Sequence, residues 1–232
     1  MEIKNLYKAF GSKVLYENLN VRIKKGEIFA LIGPNGVGKT SLMKLILGWD
    51  KDYRGQIIFD DKERLSYSPE SPAFPDFLTG RELLEFFTKI RKSGEDVQKV
   101  MDLVGLDFEN KEKIKNYSKG MKQRLGVAQA LLGNPSILLF DEPTAGLDYF
   151  GQREMAGLFM DLKKQGKTII LNSHLLLDVE KICDEGLLIM GPKLSRSFSK
   201  EDLSKKSLGD MFMDLAYEKA RKEGKDGRIY FS

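Results

Sequence analysis

Residues 33 to 40 read Gly33-Pro34-Asn35-Gly36-Val37-Gly38-Lys39-Thr40, three glycines followed by an ammonium and a hydroxyl. Glycine takes backbone conformations closed to other residues, so successive N–H groups in such a stretch can turn inward on one anion. Lys39 adds a mobile positive charge, and Thr40 a hydroxyl suited to Mg²⁺. The flanks agree with that chemistry. Ile28 to Ile32 is an apolar run of strand length, and Ser41 to Leu47 reads as a helix. That helix starts near Lys39 and adds its unpaired N–H groups and positive dipole end. An ordinary strand-to-helix turn with a solvated lysine is the competing reading, but it does not require correct flanks on both sides. The stretch, together with Ser41, is expected to cradle the phosphates of a nucleotide.

Asp141 and Glu142 follow four apolar residues, Ile137-Leu138-Leu139-Phe140. They stand at the carboxyl end of a short strand, where ligands bind in open parallel sheets. Neighbouring strand residues point to opposite sides, which predicts separate tasks. Asp141 would hold Mg²⁺, and Glu142 would orient and deprotonate an attacking water. Alone, the pair reads equally well as a solvated strand end; beside the phosphate loop it does not. A third stretch, Tyr117-Ser118-Lys119-Gly120-Met121-Lys122-Gln123-Arg124, opens a helix carrying Leu125, Ala128 and Leu132. A serine and a glycine at a helix start make a second anion site, useful if it reaches a nucleotide held by another copy. His174, the only histidine, follows the apolar run Thr168 to Asn172.

Several elements must hold these groups. Up to Lys25 the apolar residues alternate, as in Leu19, Val21 and Ile23, which predicts half-buried antiparallel strands. Gln56 to Phe59 is a further short strand ending at the turn Asp60-Asp61, and Pro69 to Pro75 is a loop. Thr79-Gly80-Arg81-Glu82 fits a helix capping box, with Leu83, Leu84, Phe86, Phe87 and Ile90 behind it. Val97, Val100, Met101 and Val104 follow at helical spacing, with Gly105 as the stop. Residues 72–117 thus read as a helical insertion. Beyond it Ile137 to Phe140 is a strand, Met155, Leu158, Phe159 and Leu162 mark a helix ending at Gly166, and Thr168 to Asn172 is a strand. Gly186 to Met190 is expected to be the last strand, followed by a helical stripe at Leu208, Met211, Phe212, Leu215 and Ala216. Alternation of strand and helix predicts an α/β fold with a mainly parallel, buried sheet.

Composition sets outer bounds. The 232 residues can bury a substantial core, and 41% apolar with 31% charged residues predicts a globular chain. A net charge of +4 is too small to indicate nucleic acid, and none is expected as a partner. Cys183 is the single cysteine, which excludes an intramolecular disulfide and a cysteine-based zinc site. There is no charged-then-apolar leader, and apolar runs fall far short of the ~20 residues that span a bilayer. A cytoplasmic location is expected.

In this order the motifs resemble those of the ATP-binding cassette subunits of ABC transporters, over nearly the whole length. The resemblance rests on the loop Gly33–Thr40, Ser118-Lys119-Gly120-Met121, Asp141-Glu142, Ala145-Gly146-Leu147-Asp148 and Ser173-His174. It implies a P-loop NTPase core at 1–71 and 118–191, with an N-terminal antiparallel β subdomain. It also implies a helical signature subdomain at 72–117 and a helical tail at 192–232, all within one domain. By the same resemblance Phe10, rather than Tyr7, stacks on adenine, and Ser118 and Gly120 contact the γ-phosphate across a head-to-tail dimer. Asp148 lies at that interface, and His174 bridges the γ-phosphate and the attacking water. Glu70, in Tyr67-Ser68-Pro69-Glu70, stands where the family commonly has a glutamine and is counted with Thr40 and Asp141 as a Mg²⁺ ligand. Lys119 and Met121 replace a glycine and a glutamine of the usual signature.

These features look most like exporter-type, ABC-2-like subunits. They imply a homodimer, or a heterodimer with a second such subunit, on the cytoplasmic face of the membrane beside an integral membrane permease. Phe74, Phe77 and Leu78 would either receive a short helix of that permease or pack within the helical insertion. The rival readings are a soluble mechanical ATPase of the same superfamily, a small-molecule kinase and a non-catalytic nucleotide sensor. A kinase has no use for Ser118–Gly120, and Glu142 argues against a sensor.

Overall fold

The apolar run at Ile28–Ile32 is a strand in the computed structural model, buried at every residue, and the helix after the glycines begins at Lys39. The structure describes residues 1–60, 63–92 and 94–224. In chain order the elements begin with β1 (Glu2–Phe10), β2 (Lys13–Arg22), β3 (Ile28–Ile32), α1 (Lys39–Ile46), β4 (Arg54–Ile58) and β5 (Leu65–Ser68). Next come α2 (Gly80–Arg91), α3 (Val97–Leu103), α4 (Lys119–Leu131), β6 (Ile137–Asp141), α5 (Tyr149–Lys164) and β7 (Thr168–Asn172). The chain continues through α6 (Leu176–Ile182), β8 (Glu185–Gly191), β9 (Leu194–Ser199), α7 (Lys200–Lys205) and α8 (Leu208–Lys222). Two compact units result, one of residues 1–60 and 172–224, the other of residues 63–171. The expected turn at Asp60-Asp61 and the tail from 225 onward lie partly or wholly outside the described residues.

In the first unit β1 pairs antiparallel with both β2 and β4. Ile3 is the register partner of Val21 and Ile57, Leu6 of Leu19, and Lys8 of Tyr16. The alternation read from the sequence sets the buried face: Leu19, Val21 and Ile23 are buried, whereas Asn20, Arg22 and Lys24 are exposed. β3 runs parallel to β8, from Phe29 beside Glu185 to Ile32 beside Leu188. The stripe on α8 buries Leu208, Met211, Leu215 and Ala216 against β8 and β9.

β8 is not the last strand, contrary to expectation. β9 returns antiparallel along it, with Glu185 opposite Ser199 and Ile189 opposite Ser195. Only Leu194 and Phe198 are apolar in β9, too sparse a pattern to stand out as a strand. Phe198 fits because Gly186 has no side chain; a Cβ there would overlap the ring. The short helices α6 and α7 carry too few turns for periodicity to reveal them.

In the second unit β6 is buried along its whole length and runs parallel to β5, from Leu65 beside Ile137 to Ser68 beside Phe140. β5 escaped the sequence reading because Ser66 and Ser68 are polar yet buried. β7 lies on the other side of β6. The capping box is formed as expected: Glu82 N–H donates to Thr79 Oγ1 at 3.1 Å, and Thr79 N–H donates to Glu82 Oε2 at 2.7 Å. Behind it Leu83 and Leu84 are buried, whereas Phe86 and Ile90 are exposed. Phe77 is also exposed, and Phe74 and Leu78 are half-buried. α4 packs on β5 and β6 as well as on α2 and α3, and Phe140 of β6 stacks on Phe159 of α5 with centroids 4.9 Å apart.

Candidate nucleotide site

In the first unit β3 delivers the chain into the glycine loop, and α1 carries it away. Gly36 and Gly38 have φ of +74° and +120°, backbone that a side chain would strain. Gly38 is also the N-cap of α1, which has no side-chain cap and no acidic residue in its first turn. Its first N–H groups therefore present a positive helix end to an anion. Lys39 is 6% exposed and folds back over the loop, with Nζ donating to the carbonyls of Gly33 at 2.6 Å and Pro34 at 3.2 Å. Lys13 donates to the Gly36 carbonyl at 3.3 Å, a second ammonium against the same loop. Phe10, at the end of β1, is half-exposed, and the β1–β2 ribbon brings Tyr16 of β2 against Gly38. His174 is exposed between β7 and α6.

In the second unit β6 ends at Asp141. Glu142 has a φ of +50° and is no longer on the strand. The expected split of tasks by strand alternation is thus corrected: a left-handed turn, not the pleat, sets the direction of Glu142. Both carboxylates are buried. Tyr67 of β5 donates from its hydroxyl to Asp141 Oδ2 at 3.2 Å. Burial, then the adjacent Asp141 and Glu70 charges, push the Tyr67 pKa well above the usual tyrosine range. The phenol therefore stays protonated and can donate. Glu70 itself is exposed in the loop after β5.

Ser118 is the N-cap of α4 and accepts from Met121 N–H at 3.1 Å. It is exposed, and Gly120 is half-buried against Leu147. The Lys119 stem packs over Gly146, so the signature stretch lies on the turn that leads to Asp148. Asp148 caps α5 by accepting from Gly151 N–H at 2.8 Å. Gln123, 1% exposed, reaches from α4 to the Glu142 carbonyl. The sequence reading gave Tyr67 and Gln123 no role. A glutamine among the buried positions of an amphipathic helix is the one signal that would have exposed the latter.

The family model described as ABC transporter matches residues 16–145, more than half of the chain. The chain belongs to the ABC transporter family. Relatives in that family are named as ATP-binding proteins. The matched segment contains the phosphate loop, Ser118 and both carboxylates, whereas Phe10 and His174 lie outside it. An uncharacterized ABC transporter ATP-binding protein of Synechocystis sp. is 38% identical over 223 residues, covering 90% of this chain and 61% of the relative. The lantibiotic transport ATP-binding protein SrtF of Streptococcus pyogenes is 34% identical over 217 residues, covering 88% and 95% respectively. The chain therefore spans under two thirds of the first relative and nearly all of the second. Among solved structures, one described as the ATP binding subunit of an ABC transporter has a TM-score of 0.80 at 25% identity, over 92% of this chain and 98% of its own.

Proposed function

We propose that this cassette binds Mg-ATP, closes as a dimer around two nucleotides, and through hydrolysis drives a separate integral membrane permease from the cytoplasmic face. The supporting observation is a pair of anion-receptive helix ends, α1 behind the glycine loop and α4 behind exposed Ser118. One triphosphate needs only the first, so the second is of use to a nucleotide held by a partner copy. That partner is a second copy of this chain or another subunit of its kind. The name of the lantibiotic transport relative favours the exporter-type, ABC-2-like subclass. No helix among the described residues is long and apolar enough to cross a membrane; in this reading the pathway belongs to the permease.

Each residue then has a task. The loop Gly33 to Ser41 wraps the phosphates, and Lys39 exchanges the Gly33 and Pro34 carbonyls for phosphate oxygens. The hydroxyl of Thr40 and the carboxylates of Asp141 and Glu70 are hard oxygen donors of the kind Mg²⁺ takes. When bound, Mg²⁺ neutralises charge on the outer phosphates. Phe10 stacks on adenine, and Ser118 and Gly120 meet the γ-phosphate of the partner's nucleotide. Glu142 accepts the proton of the attacking water, and His174 donates to that water or to the γ-phosphate. Closure is favoured by ATP held between two copies and reversed when the γ-phosphate leaves.

Light scattering with Mg-ATP tests the reading on Glu142→Gln, which keeps the shape but removes the base. A stable nucleotide-dependent dimer is expected for the variant, and none when Lys39→Ala is added. A Glu142→Gln protein that binds ATP yet stays monomeric, with its permease supplied, overturns the proposal.

A further inference from the structure

Lys8 is a buried cation beneath a half-exposed aromatic ring. Its ammonium lies 4.4 Å from the Phe10 ring centroid; Lys8 is 1% exposed and Phe10 52%. A buried ammonium needs compensation. Asp50 supplies a carboxylate oxygen at 2.8 Å, and Asp52 its carbonyl at 2.6 Å and a carboxylate oxygen at 3.4 Å. Burial draws the Lys8 pKa down, but the hydrogen bonds and charges of Asp50 and Asp52 outweigh it and hold the group above its ordinary value. Pairing with Tyr16 across the β1–β2 ribbon fixes the height of Lys8 below the ribbon tip. Neutralising the two aspartates would not by itself require the ring, because the Asp52 side chain is almost fully exposed and any surface lysine would serve it.

An aromatic ring carries negative potential on both faces, and a cation set against one face draws electron density away from the other. The outer face of Phe10 then meets an electron-rich ring with less repulsion, in a position fixed before binding. We propose that Lys8 is a specificity-determining residue that tunes Phe10 into a platform for a purine base. Its contribution falls on the base and not on the phosphates. The inference rests on the reading of Phe10 as the adenine-stacking residue.

The test compares Mg-ATP with Mg-tripolyphosphate, which has no base, by calorimetric titration of the full chain. Lys8→Met keeps the side-chain length and loses the charge. It should weaken ATP about fivefold, about 1 kcal/mol, and leave tripolyphosphate within about twofold. Lys8→Met/Asp50→Asn is measured alongside, because it does not leave the Asp50 carboxylate unpaired, and the same result is expected. Equal weakening of both ligands overturns the proposal in favour of a general charge effect, and no weakening of either overturns it outright. Phe10→Ala separates the two readings. If it does not change the preference for ATP over tripolyphosphate, the platform itself is wrong, and Lys8 with it. If Phe10→Ala weakens ATP while Lys8→Met does not, only the role of Lys8 fails. Adding Lys8→Met to Phe10→Ala should cause no further loss.

Discussion

Gln123 of α4 donates a hydrogen bond from Nε2 to the main-chain carbonyl of Glu142, 3.2 Å away. The helix that Ser118 opens is thereby tied to the peptide that follows Asp141. Glu142 sits there at a φ of +50°, a conformation that a non-glycine residue keeps only when its surroundings impose it. Gln123→Leu keeps the volume and removes the donor. It removes one of two hydrogen bonds to that carbonyl, which also accepts from Ala145 N–H at 3.1 Å. The cost of about 0.5–1.5 kcal/mol should lower the melting temperature by a few degrees. Turnover should fall as well, with ATP affinity unaltered, because the bond positions Glu142 and not the loop. A lower melting temperature with unchanged kcat would reduce the bond to a purely structural one.

Gly38 is barred from carrying a side chain on two counts, the space around it and its own backbone angle. A Cβ there would lie 2.8 Å from the Tyr16 hydroxyl oxygen and 3.1 Å from Cζ, and the backbone is already at φ +120°. Tyr16 is buried and cannot withdraw. Gly38→Ala should reduce Mg-ATP affinity more than tenfold while the far-ultraviolet spectrum of the protein is retained. Gly36→Ala is the control: its φ is +74°, but a Cβ there would meet nothing within 4 Å. It should cost about 1 kcal/mol of binding. Equal losses in the two variants would show that the Tyr16 contact is not what excludes a side chain.

Locally encoded features were legible in the sequence. The loop could be placed because Ile28–Ile32 and the helix from Lys39 are adjacent to it in the chain, and the box at Thr79–Glu82 is closed by residues three apart. What depends on a distant partner was not legible. Tyr67 acquires its task from Asp141, 74 residues away, and Gln123 from Glu142, 19 residues away. β9 becomes a strand only because β8 offers it an edge, and the direction of Glu142 follows from one backbone angle that no residue pattern announces.

Tyr67→Phe removes the donor to Asp141 Oδ2 and changes nothing else in size. The phenol is held protonated well beyond neutral pH, so the bond is present at every working pH and its loss is felt throughout. A hydrogen bond to a buried carboxylate is worth about 1.5–3 kcal/mol and fixes its rotamer. If Asp141 holds Mg²⁺, half-maximal activation of hydrolysis should require about three- to tenfold more Mg²⁺, with tripolyphosphate binding in metal-free buffer unchanged. An unaltered Mg²⁺ titration would remove Asp141, or at least its Tyr67-fixed orientation, from the metal site.

Cys183 closes α6 and is fully buried. Burial, followed by the charge of neighbouring Asp184, pushes its thiol from the ordinary 9.0 up to about 12. In the unfolded chain the thiol loses its proton near pH 9, whereas in the folded chain it keeps it. A raised folded-state pKa contributes stability that is complete below pH 9 and drains away between pH 9 and about 12. The slope in that window is at most about 1.4 kcal/mol per pH unit. Cys183→Ala has no such group, so the difference between wild type and variant in urea unfolding should shrink by on the order of 1 kcal/mol from pH 8 to pH 10. The folded thiol should likewise resist alkylation at pH 8, where an exposed cysteine reacts, since the thiolate is the nucleophile. A pH-independent difference, or rapid labelling of folded protein, would mean that α6 opens readily enough to give Cys183 access to water.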